Sequence, residues 1–200
     1  MMPEKEPEAF CPASPQHWRE WLQAHHAEKR AVWLVYHKKK SATPSFTWSQ
    51  AVDEALCFGW IDSRAQPLDD ERYRQFFSRR KPSSGWSKIN KAKVERLMAA
   101  GLMAPAGLAS LEAAKQNSTW TLLDDVEALR LPADLAQPLA ARPLAASYFE
   151  NLSRTDKRSL LQWLALAKRP ATRQKRIAEI VDLAAQQRKP AQFRGRASRC

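Results

Sequence analysis

The chain has 200 residues, of which 44% are apolar and 27% charged, and it carries a formal net charge of +12. This apolar content, with eight tryptophans, excludes a disordered chain, which requires low hydrophobicity. No stretch approaches the roughly 20 consecutive apolar residues of a membrane span. The three cysteines are widely spaced and form no disulfide framework, and the acidic first ten residues contain no secretory signal. We therefore expect a cytoplasmic protein.

Helix and strand signals follow in order along the first third of the chain. Ser14 followed by proline predicts a helix start. Residues 31–37 are apolar on both faces of a strand, which is typical of a central, covered strand. Thr47 with Gln50 forms a capping box at the start of a second helix, and Gly59 is placed to end that helix.

The middle of the chain predicts a hairpin and further helices. Residues 60–66 and 72–78 are short alternating runs joined by a five-residue polar link, which predicts two paired strands. We expect residues 31–78 to supply all the strands. The next helix is predicted to carry Trp86 and Ile89 on its apolar side and to end at Gly101.

Beyond Pro132 only helical periodicity is present, so we expect helix or loop there. Thr155 is predicted to cap a helix with Trp163 in its core stripe, and Pro170 to break that helix. The fold class is α+β, a small antiparallel sheet with helices followed by an all-helical module. The predicted divisions are an α+β domain over 1–131, the helical module over 132–189 and a disordered basic tail over 190–200.

Several motifs together resemble the YdeI/OmpD-associated, or bacteriocin-protection, family. In the first half they are Leu-Cys-Phe-Gly-Trp-Ile-Asp-Ser from residue 56, Phe-Ser-Arg-Arg-Lys-Pro from 77, Trp-Ser-Lys-Ile-Asn-Lys from 86 and Gly-Leu-Met-Ala-Pro-Ala-Gly from 101. The run Trp-Leu-Ala-Leu-Ala-Lys-Arg-Pro-Ala-Thr-Arg-Gln-Lys-Arg-Ile from 163 resembles the closing helical module of that family. The resemblance extends from about Trp18 to Lys189.

The resemblance implies the fold and family membership, and it implies no established biochemical activity. The family's name comes from an association with outer-membrane proteins and resistance phenotypes. Its members are sometimes described as periplasmic or envelope-associated. This chain departs from that description, because it shows no export signal.

The best candidate for a ligand site is the basic, aromatic stretch that begins near Arg79. From Arg72 to Arg96 nine basic residues stand against one acid, and a serine–glycine segment leads into a helix. Backbone N–H groups at a helix N-terminus and bidentate arginines can together hold phosphate or carboxylate. The residues predicted to bind the ligand are Asp62, Arg79, Arg80, Trp86, Lys88, Asn90 and Lys91.

Other chemistries have weaker support in the sequence. Cys57 lies towards the end of a helix, where the dipole disfavours a thiolate, so we interpret it as a buried packing residue. The histidines do not have the spacing of zinc ligands, so no metal or cofactor is predicted. Asp62 lacks a second carboxylate spaced for acid–base catalysis, and an ion pair with Arg79 or Arg80 is its predicted state.

The leading interpretation is a non-enzymatic binding or stress-protection protein with an anion site. Two alternatives stay open. A nucleic-acid-binding protein would use the basic stretch near Arg79 together with a second cluster around Pro170. An enzyme on a small anionic substrate would use Asp62 with the arginines. The partner classes are an anionic small molecule, an acidic protein or a nucleic acid, and the sequence does not define the oligomeric state.

Overall fold

The computed structural model describes residues 6–38, 40–41, 43 and 46–193. The strands are β1 (Ala9–Phe10), β2 (Ala31–His37), β3 (Trp60–Pro67) and β4 (Arg72–Arg79). The first helices are α1 (Pro15–His25), α2 (Trp48–Cys57), α3 (Lys88–Ala99), α4 (Pro105–Gln116) and α5 (Asp124–Glu127). They are followed by α6 (Ala133–Ala140), α7 (Pro143–Glu150), α8 (Arg154–Ala165), α9 (Pro170–Ala185) and a 3₁₀ turn, Ala191–Phe193.

The four strands form one mixed sheet in the order β1-β2-β4-β3. β2 pairs antiparallel with β4, and β3 pairs antiparallel with β4, so the predicted hairpin and the α+β class are confirmed. β2 is central and buried along most of its length, as its apolar residues predicted. The expectation that residues 31–78 supply all the strands is wrong, because β1 adds a parallel edge strand and β4 extends to Arg79.

The predicted helix caps of α1 and α2 are confirmed. The Ser14 hydroxyl accepts from the backbone N–H of His17, and proline follows at the first helical position. At α2, the Thr47 hydroxyl accepts from the Gln50 N–H, while Gln50 Oε1 accepts from the Thr47 N–H at 2.8 Å. Gly59 adopts a φ of +72° just after α2, the conformation that glycine tolerates best.

Two helix starts differ from the prediction. α3 begins at Lys88, so Trp86 precedes the helix and is buried, whereas Ile89 is 65% exposed. Both the basic segment 80–87 and the helix that follows contain apolar side chains, so periodicity alone does not locate the junction between them. α8 is capped by Ser153, whose hydroxyl accepts from the Asp156 N–H, and the predicted cap Thr155 lies inside the helix.

The described residues fall into two compact units. The first unit contains the chain up to Ser84 together with Ile89–Trp120, and therefore holds the sheet with α1, α2, α4 and nearly all of α3. The second unit contains Gly85–Lys88 and the chain from Thr121 onward. The division at residues 131 and 132 made from the sequence stays a prediction. No strand is present among the described residues after Pro132.

The second unit has a core of its own, built from α5 to α9. Its buried side chains are Leu123, Val126, Leu135, Leu139, Ala145, Phe149, Leu160, Leu161, Leu164, Ile177, Ile180, Val181 and Ala184. Trp163 was expected in this core but is only partly buried at its edge, where Arg176 lies 4.8 Å from its ring centre and Phe193 packs against it edge-on. The predicted tail thus begins with an ordered turn, and residues 194–200 lie outside the described residues.

A close backbone contact joins α4 to the end of α2. A Cβ placed on Gly107 would lie 2.2 Å from the carbonyl oxygen of Cys57, far inside van der Waals contact. The same carbonyl accepts from the N–H of Ala104 at 3.0 Å, so the approach is fixed by a hydrogen bond. Gly101, in contrast, has a φ of +68° but open space where a Cβ would project.

We expect Gly107→Ala to destabilise the protein by about 1–3 kcal/mol, because the added methyl group must push α4 away from α2. Gly101→Ala is the matched control, since it adds the same methyl group without a clash and has only a backbone cost of about 1–2 kcal/mol. Denaturant unfolding of both variants measures the difference. A Gly107→Ala variant as stable as the wild type would show that the contact yields without cost.

Candidate functional site

Strand pairing brings three polar side chains to one face of the sheet. Paired residues on antiparallel strands share a face, and so do residues two apart on one strand. Tyr36 pairs with Tyr73, and Asp62 pairs with Phe77. Gln75 lies two residues from each of those partners on β4. Tyr36, Asp62 and Gln75 therefore lie on the same face.

Helix α1 covers part of this face. The Trp18 ring lies 5.5 Å from that of Phe77, and the Trp21 ring lies 5.9 Å from that of Trp60. The Trp18 indole also donates to the carbonyl of Ala51 at 3.1 Å, which ties α1 to α2. The aromatic packing leaves the polar residues at the end of the face where α2 begins.

A β-bulge interrupts β3 directly after Asp62. Asp62 pairs with Phe77 but Ala65 pairs with Gln75, so β3 holds one extra residue there. The amide of Gln75, which is 6% exposed, spans the interruption by donating to Asp62 Oδ2 at 3.0 Å and to the carbonyl of Ser63 at 3.1 Å. Bulges of this kind often lie beside functional sites because they redirect side chains.

The Asp62 carboxylate is held by two neutral donors from different elements. Besides Gln75, the indole N–H of Trp48 donates to Oδ2 at 2.9 Å. Trp48 is the first residue of α2 and is 45% exposed, so the carboxylate lies next to the surface. Neutral donors orient a carboxylate without cancelling its charge. That charge stays available to the neighbouring groups.

Arg80 is the cation on which the Asp62 charge acts. Its guanidinium is partly buried, and burial lowers its pKa to about 10, while attraction to the Asp62 carboxylate opposes this shift. With a pKa near 10 the group is charged at neutral pH. The backbone N–H of Arg80 donates to the carbonyl of Gly59 at 2.9 Å, which fixes the position of the residue at the end of β4.

Tyr36 contributes a buried hydroxyl that accepts from and donates to no other group among the described residues. The residue is fully buried, with its ring stacked on that of Tyr73 at 5.0 Å. Burial is the main cause that raises the pKa of the Tyr36 hydroxyl, and the charges of Tyr73 and Asp62 add to the rise. The phenol is therefore neutral, and in that form it is a hydrogen-bond donor.

We call this group, which lies wholly in the first unit, the Asp62 cluster. Its members are Tyr36, Trp48, Asp62, Gln75 and Arg80. It combines a fixed carboxylate, a guanidinium, a neutral phenol and an indole. Sequence reasoning found only Asp62 and Arg80, because the other three join the cluster through strand register and the position of α2.

Arg79, predicted to bind the ligand, is used to bind the protein's own backbone. Its guanidinium donates to the carbonyl of Lys29 at 2.8 Å and to that of Ala27. Both carbonyls belong to the turn that follows α1, where a cation is favoured by the helix dipole. The side chain thus ties the end of β4 to the end of α1.

The N-terminus of α3, which was predicted to bind an anion, already binds a carboxylate of the protein itself. Within the second unit the backbone N–H of Lys88 donates to Glu127, which Arg158 also binds through two contacts of 2.7 and 3.1 Å. Donation from Arg158 is the main cause that lowers the pKa of Glu127, and the Lys88 N–H adds to it. Trp86 of this unit is buried and lines no exposed surface, whereas Lys88 is exposed.

The last two predicted site residues lie on α3 in the first unit. Asn90 and Lys91 are both partly buried. The Lys91 ammonium lies 5.0 Å from the ring centre of Trp120, a cation–π contact within that unit. The seven predicted residues are thus divided between the two units, and their role in binding stays a prediction.

The second basic cluster around Pro170 is partly used for internal contacts. Arg173 binds both carboxylate oxygens of Asp134, at 2.6 and 2.9 Å. Arg176 donates to the carbonyl of Trp163 and stacks on its ring. These two guanidiniums serve the fold of the second unit, which reduces the basic surface that a nucleic acid could contact.

Other candidate chemistries have no assembled site in the described part of the chain. Cys57 is fully buried, and burial raises the pKa of its thiol, which disfavours a nucleophilic thiolate. No group of three or more His, Cys, Asp or Glu side chains is placed to hold a metal among the described residues. In the same residues, no helix has both the length and the apolar character needed to cross a lipid bilayer.

The described residues form an α+β unit, which contains the Asp62 cluster, and a helical unit. Residues 10–110 match the family "Domain of unknown function (DUF8412)", and the chain belongs to that family. Residues 128–187 match the family "Bacteriocin-protection, YdeI or OmpD-Associated", which confirms the resemblance predicted from the sequence. The motifs between residues 56 and 107 lie in the first match. No curated protein and no solved structure is significantly similar to the chain.

We expect Glu127→Gln to cost about 1–2 kcal/mol at neutral pH, since it weakens charge-assisted hydrogen bonds. Because the folded pKa of Glu127 is lowered from 4.5, its stabilisation is present above that pH and is lost as pH falls below it. Acid should therefore destabilise the variant less than the wild type. Urea unfolding from about pH 6 to about pH 3 measures this.

The matched control is Glu150→Gln, which removes an exposed carboxylate from the same unit with the same change of charge. Its pH dependence should follow that of the wild type more closely. If Glu127→Gln and the wild type lose stability in parallel as the pH falls, the Lys88–Glu127–Arg158 contact does not stabilise the unit.

Proposed function

We propose that the protein is a non-enzymatic binding protein that holds a small anionic molecule at the Asp62 cluster. The observation that carries the proposal is the buried Tyr36 hydroxyl, which has no partner among the described residues and lies within range of the Asp62 charge. Leaving a buried hydroxyl without a partner costs about 1–3 kcal/mol, which a bound acceptor would offset.

The chemistry of the cluster favours an acceptor with negative charge. Tyr36 is a neutral donor and Arg80 is a cation, whereas the N–H groups of Trp48 and Gln75 are directed to Asp62. A phosphate or carboxylate oxygen meets both a phenol and a guanidinium well. Asp62 then serves to position Arg80 and to reject ligands of excess negative charge. This supports a small anion over a polyanion such as nucleic acid.

The cytoplasmic location predicted from the sequence is part of the proposal. Among the described residues Cys11 and Cys57 are free thiols, which is typical of a reducing compartment.

We expect Arg80→Ala to lose anion binding, because the guanidinium is the only cation assigned to the cluster. Calorimetry with inorganic phosphate, a mononucleotide and a short oligonucleotide measures this at low and moderate salt. Loss of at least about tenfold in affinity is expected for the small anion. Arg80→Lys keeps the charge without the bidentate geometry, and its affinity for the anion should lie between those of the wild type and Arg80→Ala.

The matched control for this variant is Arg130→Ala, which removes an exposed guanidinium paired with Asp125 in the second unit. It should bind as the wild type does. If the wild type binds none of the three probes above background, the proposed function is wrong. If only the oligonucleotide binds, with an affinity that falls steeply with salt, the protein is a nucleic-acid-binding protein instead.

We expect Tyr36→Phe to leave the protein as stable as the wild type or about 1 kcal/mol more stable, because it removes a buried hydroxyl without a partner. The same variant should bind the anion more weakly, since it lacks the donor. Thermal unfolding and calorimetry on one preparation measure both effects. Tyr73→Phe is the control, because it removes a neighbouring hydroxyl that is not buried. A destabilised Tyr36→Phe variant with unchanged binding would contradict this role.

A further inference from the structure

A groove in the second unit lies between α6 and α9, in the segment that matches the YdeI/OmpD-associated family. Its volume is about 970 Å³, at the upper end of the range of small-molecule sites. On each helix the lining residues recur at intervals of three and four, so one continuous stripe of each helix faces the groove. The apolar part of the lining consists of Pro138, Ala141, Pro170, Ile177, Ala178 and Val181.

An ion pair bridges the groove at each end. Asp134 of α6 binds Arg173 of α9, and Arg142, just after α6, binds Asp182 of α9 at 2.5 Å. Arg173 and Asp182 are nine residues apart on α9, which corresponds to roughly 13 Å along the helix axis. The bounded length is too short for a long partner helix and fits a small molecule. The charges of the two acids and the two arginines cancel. The ends of the groove therefore favour polar groups of a ligand without favouring either positive or negative charge.

We propose that this groove binds an uncharged, elongated apolar molecule with a hydrogen-bond donor at its ends, about as long as the distance between the two ion pairs. The site is separate from the Asp62 cluster and does not depend on the anion-binding proposal. The exposed apolar lining supplies affinity along the length of the molecule, and the carboxylates of the two ion pairs accept the polar ends. Binding therefore depends on chain length and is insensitive to salt.

The probes are the α,ω-diols hexanediol, octanediol and decanediol, titrated into the full-length protein and followed by amide chemical shifts. Each added methylene that is buried should raise the affinity about fourfold, up to decanediol, whose extended length is close to the groove length. The largest shifts should fall on Ile177 and Val181. Affinity should be unchanged between low and high salt.

The blocking variant is Ala178→Trp, which fills the groove from an exposed position on its wall. It should weaken decanediol binding by at least about tenfold. Ala140→Trp is the matched control, because Ala140 is exposed on α6 and lies outside the groove, and it should bind as the wild type does. Thermal unfolding of each variant checks that it folds.

Three results would overturn the proposal: equal binding by Ala178→Trp and Ala140→Trp, no dependence on diol length, or shifts concentrated outside α6 and α9. If Ala178→Trp does not fold, the wild-type shift map and the length series still decide the question. Because the probes are uncharged, their failure to bind would leave the anion proposal at Arg80 unaffected.

Discussion

The two hydrogen bonds from the Gln75 amide organise the polar end of the sheet. β3 holds one residue more than its partner strand, and the carbonyl of Ser63 at this bulge accepts from the Gln75 amide. Gln75 fills that position and in the same contact orients Asp62. A buried amide that lacked either acceptor would itself be costly. The same amide therefore completes the bulge and orients the Asp62 carboxylate, to which Trp48 also donates.

Much of the fold could be predicted from local signals, because caps and strand periodicity act over a few residues. Ser14, the capping box at Thr47 and the covered strand β2 were all identified in this way. β1 was missed because a strand of two residues is too short to show an alternating pattern in the sequence. Ile89 was misassigned because the junction between a basic loop and a helix depends on the packing of Trp86, which periodicity does not report.

The candidate site was less accessible to sequence reasoning for a physical reason. Which side chains share a sheet face depends on register, and the bulge after Asp62 changes register by one residue. Tyr36 and Gln75 read as ordinary strand residues until β2, β3 and β4 are aligned. The net charge of +12 also overstated the free basic surface. Arg79, Arg158 and Arg173 are used to hold carbonyls or carboxylates of the protein itself.

The exposure of Trp48 has a spectroscopic consequence. Of the tryptophans in the described residues, it alone is among the exposed large apolar side chains, whereas Trp18, Trp33, Trp60 and Trp86 are buried. Its indole N–H is bound to a carboxylate, and the emission of an indole depends on the charge and polarity around that group. The red edge of the intrinsic fluorescence therefore includes a contribution from the neighbourhood of Asp62, together with that of the partly buried Trp21, Trp120 and Trp163. The protein carries, without labelling, an optical sensor at the position where its polar residues converge.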